Sequence, residues 1–217
     1  MPDVSIIIPL HQGAATIAET LESCTRERQG LDVEVIVVDD RSSDGGPTIA
    51  EAHRARPLML RAPRPGPSAA RNAGLARASG ATVIFCDADD VFAANAIPVR
   101  LARLEREPKN TFLVSSFELL WPNGRRTRPR VPALGDDALR ALVRLNQGPP
   151  VSWTFPRSLL GDAPFRDDLL FFEDWALVLD VAFDSARLVH HATVDCTYRQ
   201  RRDMAMMRTS ASVDRTD

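Results

Sequence analysis

"VIFCDADDVF", residues 83–92, drives an apolar run straight into three carboxylates, Asp87, Asp89 and Asp90. Val83, Ile84 and Phe85 are β-branched or aromatic, the composition of a buried strand. Acids clustered at its end put negative charge on the carboxyl edge of a sheet, where like charges repel unless a cation sits between them. A solvated turn with one Asp capping the next helix is the alternative reading. Three acids within four positions favour a metal site. The pattern has precedents upstream: "VSIIIPL" (4–10) is a continuous buried run ended by Pro9, and "VEVIVVDD" (33–40) again finishes in acids.

The segments between these runs have helical character. Ile17, Leu21 and Cys24 recur at helical spacing in "AATIAETLESCTRER", and Pro47 suits the first turn of "PTIAEAHRAR". A short strand in "LMLRA" and a helix in "PSAARNAGLARASG" lead back to residue 83. Strands alternating with helices at this pitch predict an α/β fold, a mainly parallel sheet with helices on both faces. Ligands of such sheets bind at the carboxyl ends of the strands, where Asp39, Asp40, Asp87 and Asp89 fall.

The second half changes character. After a helix near 93–107, "TFLVSSFELL" and "RRTRPRV" flank "WPNG", a hairpin signal. A helix near 136–146 precedes "GPPVSWTFPRSLL", read as an irregular Pro-rich loop. "FFEDWALVLDVAFDSA" places Trp175, Leu179 and Phe183 at helical spacing, and "RLVHHATVDCTYR" reads as a strand. His190-His191 has no third ligand at sensible spacing and reads as strand-end packing. No repeat or long linker divides the chain. The expected organisation is one domain over 1–200, with halves 1–110 and 111–200, and a flexible tail over 201–217.

Composition bounds the function. The chain has 217 residues, enough for one sizeable domain, and a net charge of −2 gives no global pull towards nucleic acid. Lys109 is the only lysine, so the cations are arginines, whose planar fork suits phosphate. Cys24, Cys86 and Cys196 are far apart in sequence and read as buried, reduced thiols. No window reaches the roughly 18 apolar residues of a membrane span. The expected location is cytoplasmic, with peripheral contact at the inner face of the membrane left open.

Asp87-Ala88-Asp89 supplies hard oxygen ligands suited to Mg²⁺ or Mn²⁺, ions usually completed by substrate phosphate and water. Residues 52–86 contain no acid but carry Arg54, Arg56, Arg61, Arg64, Arg71 and Arg77. Cation-rich chain feeding a carboxylate pair suits a metal-bridged diphosphate. Solvated helix positions account for Arg54, Arg56 and Arg77. Arg71, within "GPSAARNAG", is the functional candidate, because small neighbours let a backbone approach a ligand.

In order and spacing, "VSIIIPLHQGAATIAETLESC", "VEVIVVDDRSSDGG", "GPSAARNAGLARASGATVIFCDADD" and "FFEDWALVLDVA" resemble the family-2 glycosyltransferases, inverting enzymes of the GT-A fold. The resemblance covers about residues 3–200. It implies a Rossmann-like sheet with a smaller acceptor-side subregion, and sugar transfer from a nucleotide-sugar, UDP-linked by family frequency, with divalent metal. Pro9 and His11 then lie at the nucleoside, Asp40 at the nucleobase, and Arg71 at the donor. Asp87 and Asp89 form the Asp-x-Asp, with Asp89 the direct metal ligand. Glu173-Asp174 matches the family's Glu-Asp pair, whose Asp is the general base. Arg199, Arg201 and Arg202 are candidates for the diphosphate, and Trp153 for stacking on an acceptor ring. The implied acceptor is a carbohydrate, a lipid-linked sugar or a small molecule. His11 and Gln12 stand where Tyr or Phe and Asn are common, and Gly46 replaces a small hydroxyl residue.

Two other classes compete. A nucleotidyltransferase of similar build also uses Asp-bound metal, but it places a Gly-rich basic loop after its first strand, where "PLHQGAATI" has one Gly. A silent binding module would be expected to lack the Asp-x-Asp or the Glu-Asp, and both are present.

Overall fold

The computed structural model describes residues 1–26, 30–135, 137–169, 171–184 and 186–200. Among the described residues, eight strands form one sheet: β1 (Val4–Leu10), β2 (Val33–Asp39), β3 (Leu58–Arg61), β4 (Thr82–Phe85), β5 (Val91–Phe92), β6 (Thr111–Leu120), β7 (Trp153–Pro156) and β8 (Arg187–Arg199). Their spatial order is β3-β2-β1-β4-β7-β6-β8-β5. The first four pair in parallel, while β7 runs antiparallel to β4 and β6, and β5 antiparallel to β8. The chain moves from β1 outward to β3, then returns to the other side of β1 as β4. That reversal makes the β1/β4 boundary the switch point where a crevice opens. The β1–β4 ladder ends at Ile7 and Phe85. Pro9, with no N–H to offer a ladder, stands just beyond it.

The described α-helices that cover the sheet are α1 (Ile17–Thr25), α2 (Gly46–Ala52), α3 (Pro67–Arg77), α4 (Ala96–Leu104), α5 (Ala138–Arg144) and α6 (Glu173–Phe183). Side chains alternate along β1, so its two faces feed different cores. Ile6 and Ile8 pack with Ile17 and Leu21 of α1, Ala50 of α2 and Ile97 of α4. Ile7 packs on the other face with Leu75 of α3, Leu142 of α5 and Leu177 and Val178 of α6. Each such side chain, when fully buried, contributes roughly 1.5–3 kcal/mol. Gly74 lets α3 lie against β1, since a Cβ there would come within 2.4 Å of Ile7 Cγ2.

A buried ion pair locks the second half. Arg100 of α4 donates to both oxygens of Asp195 in β8, at 2.8 and 2.5 Å, and Ser115 Oγ donates to the same carboxylate. His190 Nε2 meets Ser116 Oγ at 2.9 Å within the β6–β8 pairing, consistent with a packing role. All three cysteines are buried and free of disulfides.

One expectation needed correction: "WTFP" is strand β7 rather than irregular loop. Val91–Phe92, for which the sequence offered no reading, forms β5. The "WPNG" turn does bring "RRTRPRV" back antiparallel against β6, through isolated bridges at Phe117 and Leu120 rather than a continuous strand, and Pro129 has no N–H to extend the ladder. Arg201, Arg202 and the tail over 201–217 lie outside the described residues.

Candidate active site

The carboxyl ends of β1, β2 and β4 deliver their loops to one crevice. His11 Nδ1 lies 2.7 Å from the Asp40 carbonyl oxygen. Asp40 Oδ2 accepts the Gly66 N–H at 2.8 Å, and Oδ1 accepts from Arg41 Nη1 at 3.1 Å. Gly66 opens α3 at φ 112, a backbone state that favours glycine. Gln12 clamps the facing loop: its Oε1 accepts from the N–H groups of Ser43 and Asp44, at 3.1 and 3.2 Å. Asp44 in turn accepts from Ala14 N at 2.8 Å and Gly46 N at 3.0 Å. A Cβ on Gly46 would press to 2.9 Å from Asp44 Oδ1 and 3.2 Å from Ala14 N, which accounts for glycine at that position.

The acidic turn after β4 is pinned from beneath. Thr16 and Thr20 of α1 both donate to the Ala88 carbonyl, at 2.8 and 3.0 Å, and Asp90 N–H donates to the Asp87 carbonyl at 3.0 Å. Asp89 is 7% exposed. Asp90 is completely buried; its Oδ1 accepts the Arg199 N–H, and its Oδ2 has no partner. Burial, and then the charges of Asp87 and Asp89, push the Asp90 carboxyl well above the ordinary range. An orphaned carboxyl oxygen beside two further acids is an arrangement that a hard divalent cation relieves, and the donor set therefore fits Mg²⁺ or Mn²⁺. No three His, Cys, Asp or Glu form a metal cage among the described residues. Two carboxylates suit an ion completed by substrate oxygens.

Arg71 joins this turn to the second half. Its Nη2 donates to Asp87 Oδ1 at 2.6 Å, its Nη1 donates to Glu173 Oε1 at 2.7 Å, and its guanidinium lies 5.3 Å from the Phe165 ring centre. Asn72 holds that ring in place, exchanging two hydrogen bonds with the Phe165 backbone. The Arg71 side chain is 4% exposed. It meets the site through two carboxylates, not through open surface.

Glu173 and Asp174 begin α6. The N-cap is Phe172, without a side-chain cap bond, so Asp174 lies inside the first turn rather than at the capping position. Its Oδ1 accepts the Trp175 N–H at 2.8 Å, and its Oδ2 accepts from Asn146 at 3.3 Å. Burial raises the Asp174 pKa; Arg71 opposes this and Glu173 adds to it. A raised pKa makes the carboxylate a stronger proton acceptor, as a general base requires.

Trp153 does not face the crevice. It is 1% exposed, stacked on Phe112 at 6.0 Å with its indole N–H donating to Gly148, so it is core and not an acceptor platform. Arg199 pairs with Glu19 at 2.8 Å while its backbone holds Asp90. The sequence reading counted Asp90 among the acids of the turn without giving it a separate role, and it passed over Thr16, Thr20 and Tyr198. Burial and the charges of Asp87, Asp90, Asp174 and Asp89 push the Tyr198 phenol far up, so its O–H remains a donor in that negative field.

A parallel sheet with clustered carboxylates at its switch point, continued by a mixed half in which β6 and β8 pair in parallel while β7 and β5 run antiparallel, defines an α/β domain of the GT-A type. Staphylococcus aureus TarS 1-349, solved with UDP-GlcNAc, superposes with a TM-score of 0.75 at 22% identity, covering 92% of this chain and 59% of that one. The Pyrobaculum calidifontis mannosyltransferase PcManGT, solved with GDP-Man and Mn²⁺, gives 0.71 at 23% identity over 95% and 60%. Succinoglycan biosynthesis protein ExoO of Rhizobium meliloti is 37% identical over 107 residues, 48% of this chain and 29% of that one. The chain thus spans under a third of this relative and about three fifths of the two solved structures. The Glycosyl transferase family 2 pattern matches residues 5–155, and the chain belongs to that family.

Proposed function

We propose that this protein transfers a sugar from a nucleotide-diphosphate-sugar to an acceptor hydroxyl with inversion at the anomeric carbon. The observation that carries the reading is the Asp87–Arg71–Glu173 bridge, which ties the Asp-x-Asp turn to a half-buried Asp174 with a raised pKa. His11, Asp40 and the Gly66 turn bind the nucleoside, with Pro9 at the splayed strand edge. Asp89, with Asp87, would hold Mg²⁺ or Mn²⁺, which when bound would neutralise charge on the diphosphate. Asp174 takes the acceptor proton as the acceptor oxygen attacks the face opposite the departing nucleotide. The 1–110 half serves the donor and the 111–200 half the acceptor. A UDP-linked donor is the working choice, supported by UDP-GlcNAc in TarS, while GDP-Man in PcManGT makes GDP the second to try.

Thermal stabilisation by UDP, with and without Mn²⁺, tests the donor site. The wild-type chain is expected to be stabilised more strongly with the metal, and Asp89→Ala to lose that increment because the diphosphate loses its bridging cation. A full metal-dependent shift in Asp89→Ala would place the site elsewhere.

A further inference from the structure

Six of the eleven large apolar side chains exposed among the described residues fall between 131 and 172: Val131, Leu139, Val143, Leu145, Phe171 and Phe172. Hydrogen bonds draw them into one surface. Ala133 N–H donates to Gln147 Oε1 at 2.9 Å, and Gln147 Nε2 donates to the Ala141 and Leu145 carbonyls, holding the 131–133 strip against the end of α5. Trp175 Nε1 donates to the Leu142 carbonyl at 2.7 Å, and Phe172 meets the Trp175 ring at 5.9 Å. Along α5, Leu142 is buried, whereas Leu139 and Val143, four residues apart, share an exposed stripe bordered by Arg140 and Arg144. Phe172 is 66% exposed at φ 64, a left-handed state that is unfavourable for a bulky residue. An apolar patch rimmed by polar groups marks an interaction site.

Charge selects the partner. Although the net charge is −2, residues 125–144 hold six arginines against two aspartates. Arg128, Arg130, Arg140 and Arg144 are exposed and make no ion pair with any described residue, while Arg126 pairs with Glu118. Aromatic and aliphatic side chains beside free guanidinium groups match the boundary of an anionic bilayer, where rings enter at headgroup depth and arginines meet phosphates. A second copy of the chain would bring this cationic rim against itself. We propose that this face docks on an anionic lipid surface through α5 and Phe171-Phe172. The surface adjoins Asp174 through Asn146, so docking presents the base to acceptors at the membrane. That last step rests on the function proposed above; the docking does not.

Co-sedimentation of the full chain with vesicles tests this. The chain should pellet with phosphatidylcholine vesicles containing about one quarter phosphatidylglycerol, and not with pure phosphatidylcholine, at about 0.1 M salt. Val143→Glu with Leu145→Glu, and separately Arg140→Glu with Arg144→Glu, should each weaken binding at least about tenfold. Both variants should keep their stabilisation by UDP with Mn²⁺, which shows an intact fold and donor site. Failure of the wild-type chain to pellet, equal pelleting with pure phosphatidylcholine, or unchanged binding by both variants would overturn the proposal. So would a concentration-dependent dimer dissolved by Val143→Glu with Leu145→Glu, which would assign the face to a second copy. Vesicle binding without UDP stabilisation would uphold the docking and remove the donor reading instead.

Discussion

Asp174→Asn is expected to lose sugar transfer by at least about a hundredfold while keeping donor affinity, because the amide cannot accept the acceptor proton. The fold should survive, since the amide oxygen can still accept the Trp175 N–H. Stability against pH gives a second readout. Burial raises the folded-state pKa of Asp174, so its contribution is fully present below the unfolded pKa and is lost as pH rises through the folded one. The variant should therefore match the wild type in acid and gain on it across that window, with wild-type activity rising over the same range. Chemical denaturation across pH and initial rates with an excess of acceptor measure both. Wild-type turnover by the variant would remove Asp174 from the chemistry.

Arg71→Met should give the largest stability loss. The substitution removes a cation whose side chain is 4% exposed and leaves Asp87 and Glu173 facing each other without it. Breaking a buried pair by deleting one partner costs about 3–5 kcal/mol, and the 26% exposure of Asp87 pulls the expectation to the lower end. Arg71→Lys should recover only part of this, because an ammonium lacks the planar fork that reaches two carboxylates at once. Urea unfolding of the three proteins at neutral pH decides the matter. A loss below about 1 kcal/mol for Arg71→Met would mean that the bridge does not hold the site together.

Much of this arrangement was legible in the chain because local rules and global topology agree. β1, β2 and β4 are continuous apolar runs, and their acids mark strand ends whose common edge follows from parallel topology. The existence of α6 was readable from its apolar spacing, but its buried face is Leu177, Val178 and Val181, with Phe183 exposed, and the Glu-Asp at its start came from the family resemblance. What escaped was set by distant partners. Trp153 follows two prolines, so its surroundings looked irregular, yet pairing with β4 and β6 turns the segment into a core strand. Arg71 stood out among the arginines as the functional candidate, but its pairing with Asp87 and Glu173, 16 and 102 residues away, brings α3 and α6 together in a way the local sequence does not show. Asp90 was counted with Asp87 and Asp89 as one acidic cluster, and its complete burial was not foreseen. The extra signal was the apolar Val91-Phe92 after it, which pairs with β8 and pulls Asp90 inside.

The most direct test of inverting sugar transfer at this site is the configuration of the sugar released to water in the absence of acceptor. UDP-GlcNAc, UDP-glucose and GDP-mannose are all α-linked, so attack by water from the opposite face must yield the β anomer first. Proton NMR, recorded faster than the anomers interconvert, reads that configuration directly. With Mn²⁺, at least one of these donors should release β sugar first, at a rate that falls in both Asp174→Asn and Asp89→Ala. Initial release of the α anomer, release of sugar phosphate in place of free sugar, or no metal-dependent turnover of any of the three would contradict it.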